Sequence, residues 1–342
     1  MRNTDHIEFL ACQEGRRLIL SNHKKYDDNV PSTVSYIHLS GDMIRSRANN
    51  ARLTATGSGH ESHDNAPRMP YVCRFFNTMV LPYLSASASA ALSGKSLAIE
   101  LHDTYKDSAG SLAADKDRDF ANTLVFSRDR AHMFPVLIPD PFQMTNFGGA
   151  IDRLDDTTPW KEKAPKMFFA GTTTGNRDPT KNERIQRCVW SLDHRDIADF
   201  YITHVAQMDA RDALKAVPKL SQVIHQRFSE DHHIGYRLAA NIAGNTCSWS
   251  RIPSIMKTRS VLFDFTHEDI QWYTPAMVDG VHYVSVDSTN LAQKYASFVN
   301  DEAKCAAMSD NANVFVQAYT RSLHAAQYMK HLLESAVYHN AA

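Results

Sequence analysis

From residue 167 onward the chain alternates short apolar runs with helix-forming stretches, and this alternation restricts the possible fold more than any other feature. Met167-Phe168-Phe169-Ala170 precedes a helical stretch from Asn182 to Trp190; Asp199 to Ile202 is a further strand and Val217 to Arg227 a further helix. Leu238 to Ala243 stops at Gly244-Asn245-Thr246, and Ser248 to Met256 opens the next helix. Ser260 to Phe263 reads as a buried strand, Glu268 to Tyr273 as a helical turn, Val281 to Val286 as a strand and Leu291 to Val299 as a helix. Apolar runs joined by helices are what a parallel sheet needs, because its strands are buried on both faces and its crossovers are helical. Val314 to Val337 reads as one long amphipathic helix, with Phe315, Tyr319, Leu323, Ala326, Leu333 and Val337 near one face.

The first of these units carries the most chemistry. Lys163 to Thr180 reads KAPKMFFAGTTTGNRDPT, an apolar run that stops at Gly171 and passes through three threonines to Asn176-Arg177-Asp178-Pro179. Asp178 is placed to cap the following helix, and Pro179 suits its first position. Exposed amides at a helix start, with an arginine nearby, suit a phosphate or diphosphate. An ordinary βα loop uses the same residues, and from this stretch alone both readings stand.

With 342 residues the chain is long enough for two domains. The boundary is expected near 145–160, after the proline-rich turn of Val136 to Pro141. In the first half, Val34 to Leu39 reads as a strand and Arg45 to Asn65 as a polar surface loop. Arg74 to Val80 and Ser85 to Leu92 have helical patterns, Ser96 to Leu101 is a buried strand and Asn122 to Phe126 another. The strand from Ser96 ends at His102-Asp103. Ligands collect at the carboxyl ends of strands in open α/β sheets, so Asp103 is a candidate base, although from local context alone a cap of the next loop is the simpler reading. His60, Glu61 and His63 lack a third placed ligand for a metal. Asp115-Lys116-Asp117 sits in a charge run with no strand before it and reads as a solvated loop, so no metal site is expected.

The net charge of −1 and the absence of a basic run argue against nucleic acid and anionic membranes as partners. No stretch approaches the ~20 apolar residues of a membrane span. The cysteines Cys12, Cys73, Cys188, Cys247 and Cys305 are odd in number and widely spaced, which argues against a disulfide framework. The N-terminus has no signal-peptide pattern and the C-terminus no retention signal, so a cytoplasmic protein is expected.

Several pieces of the second half occur in a familiar order. They are Pro159 to Lys163, Phe168 to Thr172 with Arg177-Asp178, and His233 with Tyr236-Arg237. Asn241 and Gly244, Ser248-Trp249-Ser250-Arg251, Ser260 to Leu262, Trp272 to Pro275, Val281 to Val286 and Asn300 to Glu302 follow. The ordered set resembles glycosyltransferase family 90, which includes the Rumi-type protein O-glucosyltransferases and the fungal capsule xylosyltransferases. It covers roughly residues 159–337, with a fainter match back to about 74.

The resemblance implies an α/β chain of GT-B type, two Rossmann-like domains facing a cleft, the last helix crossing back to the first domain. Residues 1–150 are then the acceptor side, 151–312 the donor-binding domain and 313–342 the returning helix. It implies an inverting transferase that needs no metal and no cofactor. The donor would be UDP-glucose or UDP-xylose, and the acceptor a glycan or glycoprotein. Asp103 occupies the place of the family's catalytic base, with Glu100 and His102 as alternates on the other face of the strand. For the donor, the resemblance points to Gly171, Thr172, Thr173, Arg177, His233, Tyr236, Arg237, Ser248, Trp249 and Arg251.

Two arginines usual in the family are missing: Ala170 stands where one follows the strand phenylalanine, and the threonine run contains none. Arg177, Arg237 or Arg251 would have to supply that charge. The same loss motivates a second reading, a non-catalytic member that only holds a nucleotide or glycan. A nicotinamide-dependent dehydrogenase is disfavoured, because no GxGxxG follows an early strand. Without luminal signals, the resemblance suggests a microbial or viral enzyme that builds a surface glycan in the cytoplasm.

Overall fold

The computed structural model describes residues 3–18, 20–22, 34–42, 52–58, 68–101, 123–130, 135–145, 151–225, 227–265 and 268–341. The chain is a mixed α/β protein whose described strands form two main sheets. Helix α1 (Asn3–Gly15) precedes the first sheet. That sheet contains β1 (Ser21–Asn22), β2 (Val34–Asp42), β3 (Arg52–Ser58), β4 (Lys95–Glu100) and β5 (Leu124–Val125). After the outlying β6 (Arg128–Asp129) the chain returns to it as β7 (Val136–Leu137). The order is β3-β2-β4-β5-β7, with β1 on β4. β2 runs antiparallel to β3 and β4, whereas β4, β5 and β7 are parallel.

The polar stretch expected to be a loop between residues 45 and 65 therefore contains β3. Leu53 and Ala55 point into the core while Thr54 and Thr56 do not, so the solvent face hides the strand's alternation. Asn77 completes this edge, accepting from the Ala55 amide at 2.7 Å and donating to its carbonyl at 2.9 Å. It lies in a π-turn, Phe76–Val80, that continues α2 (Arg68–Phe75). Ser85 caps α3 (Ala86–Leu92), and Asp140 caps the short α4 (Pro141–Met144) by accepting from the amides of Phe142 and Gln143.

The second sheet is wholly parallel, as the apolar runs require. It contains β8 (Ala164–Thr172), β9 (Ala198–His204), β10 (Tyr236–Asn241), β11 (Val261–Asp264) and, after the outlying β12 (Asp269–Ile270), β13 (Val284–Ser285). Their order is β13-β11-β10-β8-β9. Three helices cross between its strands, α5 (Glu183–Trp190), α6 (Ala210–Ala216) and α7 (Arg251–Met256), and α8 (Leu291–Phe298) follows its last strand, β13. Phe169, Phe200, Leu238, Ala240 and Phe263 are fully buried beneath them. Each large apolar side chain among these contributes about 1.5–3 kcal/mol.

Three local expectations are corrected. The stretch from Val217 is not a continuous helix: Asp209 caps α6 upstream, and Pro218, lacking an N–H, begins only a 3₁₀ turn to Gln222. Glu268 to Tyr273 is not a helical turn, because Asp269–Ile270 pairs antiparallel with Arg128–Asp129 as a ribbon between the two halves. The terminal helix is two helices, α9 (Glu302–Tyr319) and α10 (Ser322–Asn340). Thr320 turns its hydroxyl back to the Val316 carbonyl, and Arg321 adopts an extended conformation that breaks the ladder.

α10 lies along α1, and the contact is close. A Cβ at Gly15 would fall 2.5 Å from the Leu332 carbonyl oxygen, so only glycine permits it. Tyr328 donates to the Leu137 carbonyl, and Glu14 pairs with buried Arg128 at 2.7 Å. Two apolar clusters result. One joins the first sheet to α1, α7, α9 and α10; the other fills the second sheet from Met167 to Met308. All five cysteines are free. Among the described residues, no helix is long and apolar enough to cross a membrane.

Candidate functional site

The carboxyl ends of β8 and β10 open onto two adjoining cavities of about 720 and 400 Å³. Phe142, Arg184, Ser250 and Arg251 line both. The larger runs past Gly171 and Thr172 to Phe168, Phe228, Glu230 and His233. The smaller lies under Arg68 and Trp249, with Thr174 and Gly244 to Ser248 as its other walls.

Two arginines form the partition. Arg184, on the first turn of α5, is buried. Its Nε donates to the carbonyls of Ile242 and Ala243 at 3.1 and 3.0 Å, and its Nη1 to the Thr172 carbonyl at 3.0 Å and Thr174 Oγ1 at 2.7 Å. Arg251, at the start of α7, donates from Nη2 to the Ala170 carbonyl at 2.8 Å and from Nη1 to Ser248 Oγ at 3.4 Å. Its guanidinium also lies 4.6 Å from the centre of the Phe169 ring. Each arginine occupies space left by a glycine. A Cβ at Gly171 would lie 3.0 Å from Arg251 Nη2, and one at Gly244 2.8 Å from Arg184 Nη2.

Among the described residues, neither cation pairs with a carboxylate. Burial, helped by the neighbouring Arg251 cation, pushes Arg184 down to about 9; burial takes Arg251 down to about 10. Both remain charged at neutral pH. Two neighbouring desolvated cations held by carbonyls repel each other, and an anion against both offsets that cost. A multiply charged anion is the kind of ligand that such a partition can hold.

The loop after β8 works differently from the expectation. Asn182, not Asp178, caps α5, accepting from the Ile185 amide at 3.1 Å. Asp178 instead closes a local turn on Thr180. Thr173 is fully buried; its hydroxyl donates to the Ala206 carbonyl and accepts from the Ala206 amide. Gly175, at φ +120°, donates its amide to Gln207 and Asn245 side chains. The loop's polar groups thus tie the ends of β8, β9 and β10 together, and the charge facing the cavities comes from side chains that the loop supports.

The larger cavity ends in aromatic residues. Phe168 stacks on Tyr236 with centroids 4.8 Å apart, meets Phe228 edge-on at 5.3 Å and His232 at 4.8 Å. Burial, with the Asp199 carboxylate adding to it, pushes the Tyr236 hydroxyl up to about 12. His233 lines the cavity with Nδ1 against the Glu230 carbonyl at 3.1 Å. Burial and the nearby Lys163 cation push His233 down to about 4, so it is neutral.

The smaller cavity brings the two halves together at Trp249. Its indole packs edge-on against Phe126 at 5.5 Å and Phe142 at 6.0 Å, and the Arg68 guanidinium lies 4.8 Å above it. Ser127 and Thr246 share a short hydrogen bond beside it. Since Phe126 follows β5 and Arg251 follows β10 by one loop, the carboxyl ends of both sheets meet here.

Of the residues expected at a donor site, Gly171, Thr172, His233, Ser248, Trp249 and Arg251 line these cavities. Thr173 and Tyr236 stand behind the walls. Arg177 is exposed outside them. Arg237 lies at the amino end of β10, where it donates to the Val299 carbonyl at 2.9 Å and covers the Trp160 ring. Asp103 and His102 lie outside the described residues, as do Asp115-Lys116-Asp117 and His60 to His63; Glu100 is buried in β4. Among the described residues no three His, Cys, Asp or Glu side chains gather around a point where a metal would sit. Sequence reading missed Arg184, Phe142 and Arg68. Arg184 sits in the charged run Lys181 to Arg187, yet it is one turn before the buried Cys188 and so on the inward face of α5.

Comparison with curated proteins returns no match. A family model described as glycosyl transferase family 90 matches residues 143–338, a span that includes the parallel sheet, both partition arginines and Trp249. The match covers more than half of the chain, and the chain belongs to glycosyl transferase family 90.

Proposed function

We propose that the protein is an inverting, metal-independent glycosyltransferase of GT-B type that uses a UDP-sugar, UDP-glucose or UDP-xylose. Support comes chiefly from the partition: the buried guanidinium of Arg184 and the half-buried one of Arg251, without a described carboxylate partner, between an aromatic-ended cavity and one shared by both halves. In this reading the diphosphate lies against Arg184 and Arg251 and the nucleoside extends toward Phe228 and His233. The sugar faces Trp249, at the mouth that an acceptor hydroxyl of a glycan or glycoprotein enters.

Asp103, two residues beyond Leu101 at the end of β4, takes the proton from that hydroxyl as its oxygen attacks C1. The bond from C1 to the diphosphate breaks on the opposite face, and the arginines offset the charge that UDP carries away. A merely nucleotide-holding member was suggested by the arginines missing around Gly171, and Arg184 now supplies a cation beside that loop. Screening UDP-sugars for UDP release and thermal stabilisation tests the proposal. UDP release and a raised Tm with UDP-glucose or UDP-xylose are expected; stabilisation without release by any UDP-sugar, even with glycan acceptors, would favour the binding-only reading.

A further inference from the structure

Lys163 closes the stretch from Pro159 and has no part in the site as described, yet its side chain is wholly buried. Its Nζ lies 2.8 Å from Asp156 Oδ2, and the two side chains are 0% and 3% exposed. Desolvating both charges is costly, and an apolar pair of similar volume often stabilises a core as well, so the pair is informative through what it holds. It holds the turn His232–Gly235, just before β10. Lys163 Nζ donates to the Ile234 carbonyl at 2.5 Å, and Asp156 Oδ2 also accepts from the Arg259 amide at 2.7 Å. The Ser260 hydroxyl adds bonds to the carbonyls of His233 and Tyr236 at 3.1 and 2.8 Å. This turn forms the far end of the larger cavity. His233 lines it, and the His232 ring packs 4.8 Å from that of Phe168, another wall residue.

We propose that Lys163 and Asp156 are positioning residues for the nucleoside, the buried pair holding the His232–Gly235 turn where the base is received. This rests on the reading in which the nucleoside extends toward Phe228 and His233. The pair stands at the amino end of β8, whereas Arg251 holds the Ala170 carbonyl near the other end. Ala170 is six residues beyond Ala164, roughly 20 Å along the strand, so the pair acts on the nucleoside end and not on the diphosphate.

The test uses the double variant Asp156→Asn/Lys163→Met in the full chain. It removes both charges together, keeps an acceptor for the Arg259 amide and retains most of the buried stem. The readouts are Kd for UDP and for inorganic diphosphate by calorimetry, and the melting transition. Losing about one hydrogen bond's contribution at the nucleoside should raise the Kd for UDP about tenfold. The Kd for inorganic diphosphate should stay within about twofold, because the arginine partition is intact. A merely structural role would lower the Tm and leave the ratio of the two Kd values as in the wild type. Unchanged UDP affinity in the folded double variant, or an equal loss for inorganic diphosphate, would overturn the proposal. If the double variant does not melt cooperatively, Asp156→Asn alone decides by the same readouts: weaker UDP binding at unchanged diphosphate affinity supports it, and any other result overturns it. The wild-type protein separates the two claims. UDP binding no tighter than inorganic diphosphate refutes the nucleoside reading itself; a preference for UDP that the double variant keeps refutes only the positioning role.

Discussion

Replacing Arg184 with methionine should weaken UDP binding far more than uridine binding. Methionine retains much of the buried apolar stem and removes the cation. In the structure the guanidinium spends Nε and Nη1 on four oxygens, those of Ile242, Ala243, Thr172 and Thr174, and Nη2 has no protein partner among the described residues. A charge-assisted hydrogen bond from that group to a phosphate contributes about 1.5–3 kcal/mol, which corresponds to a roughly 10- to 150-fold rise in the Kd for UDP. Uridine carries no phosphate, so its affinity should change by less than about threefold. The tethers between strand ends are lost as well. At about 1 kcal/mol net per hydrogen bond, less what water in the cavity restores, stability should fall by about 2–4 kcal/mol. Calorimetry with UDP and uridine, beside a denaturant titration, reads both effects. Unchanged UDP affinity in a folded Arg184→Met, or an equal loss for uridine, would refute the assignment of the partition to the diphosphate.

Gly171→Ala should act on the same partition from the other side: the new Cβ meets Phe169 at 2.8 Å and Arg251 Nη2 at 3.0 Å, so UDP should bind about tenfold more weakly by calorimetry. Asp140 should make stability depend on pH. Burial raises its carboxyl from 3.8 to about 7, outweighing the hydrogen bonds from Phe142, Gln143 and Gln271 that lower it. The unfolded chain releases this proton near pH 4 and the folded chain holds it to about pH 7. Its contribution is therefore greatest below pH 4 and is lost as pH rises to 7, about 4 kcal/mol in all. Asp140→Asn keeps the cap and should flatten that part of the stability–pH curve in denaturant titrations; an unchanged slope would contradict the shift.

How much of this was legible in the sequence follows from where each residue's constraint lies. The strands β8, β10 and β11 were legible because both faces are buried and composition reports it directly. Strand β3 was hidden because only Leu53 and Ala55 face the core. The break between α9 and α10 comes from Thr320 bonding back to its own helix, which apolar periodicity does not register. Asn182 prevailed over Asp178 as a cap because its amide also donates to the Thr173 and Asn176 carbonyls, a tertiary fact. The family resemblance points to Arg251 and Trp249, and of Arg177, Arg237 and Arg251, the arginines that could replace the missing charge, only Arg251 lines the cavities. Arg184 supplies a cation from the next helix, twelve residues along the chain from the Thr172 carbonyl it holds.

The central claim is that a carboxylate beyond β4 activates an acceptor across the cleft from a UDP held by Arg184 and Arg251. Its most direct test is the turnover of Asp103→Asn on a UDP-sugar that the wild-type protein consumes, measured beside the Kd for UDP. The account predicts loss of turnover with UDP affinity unchanged to within a few-fold. Near-normal turnover in Asp103→Asn would contradict it.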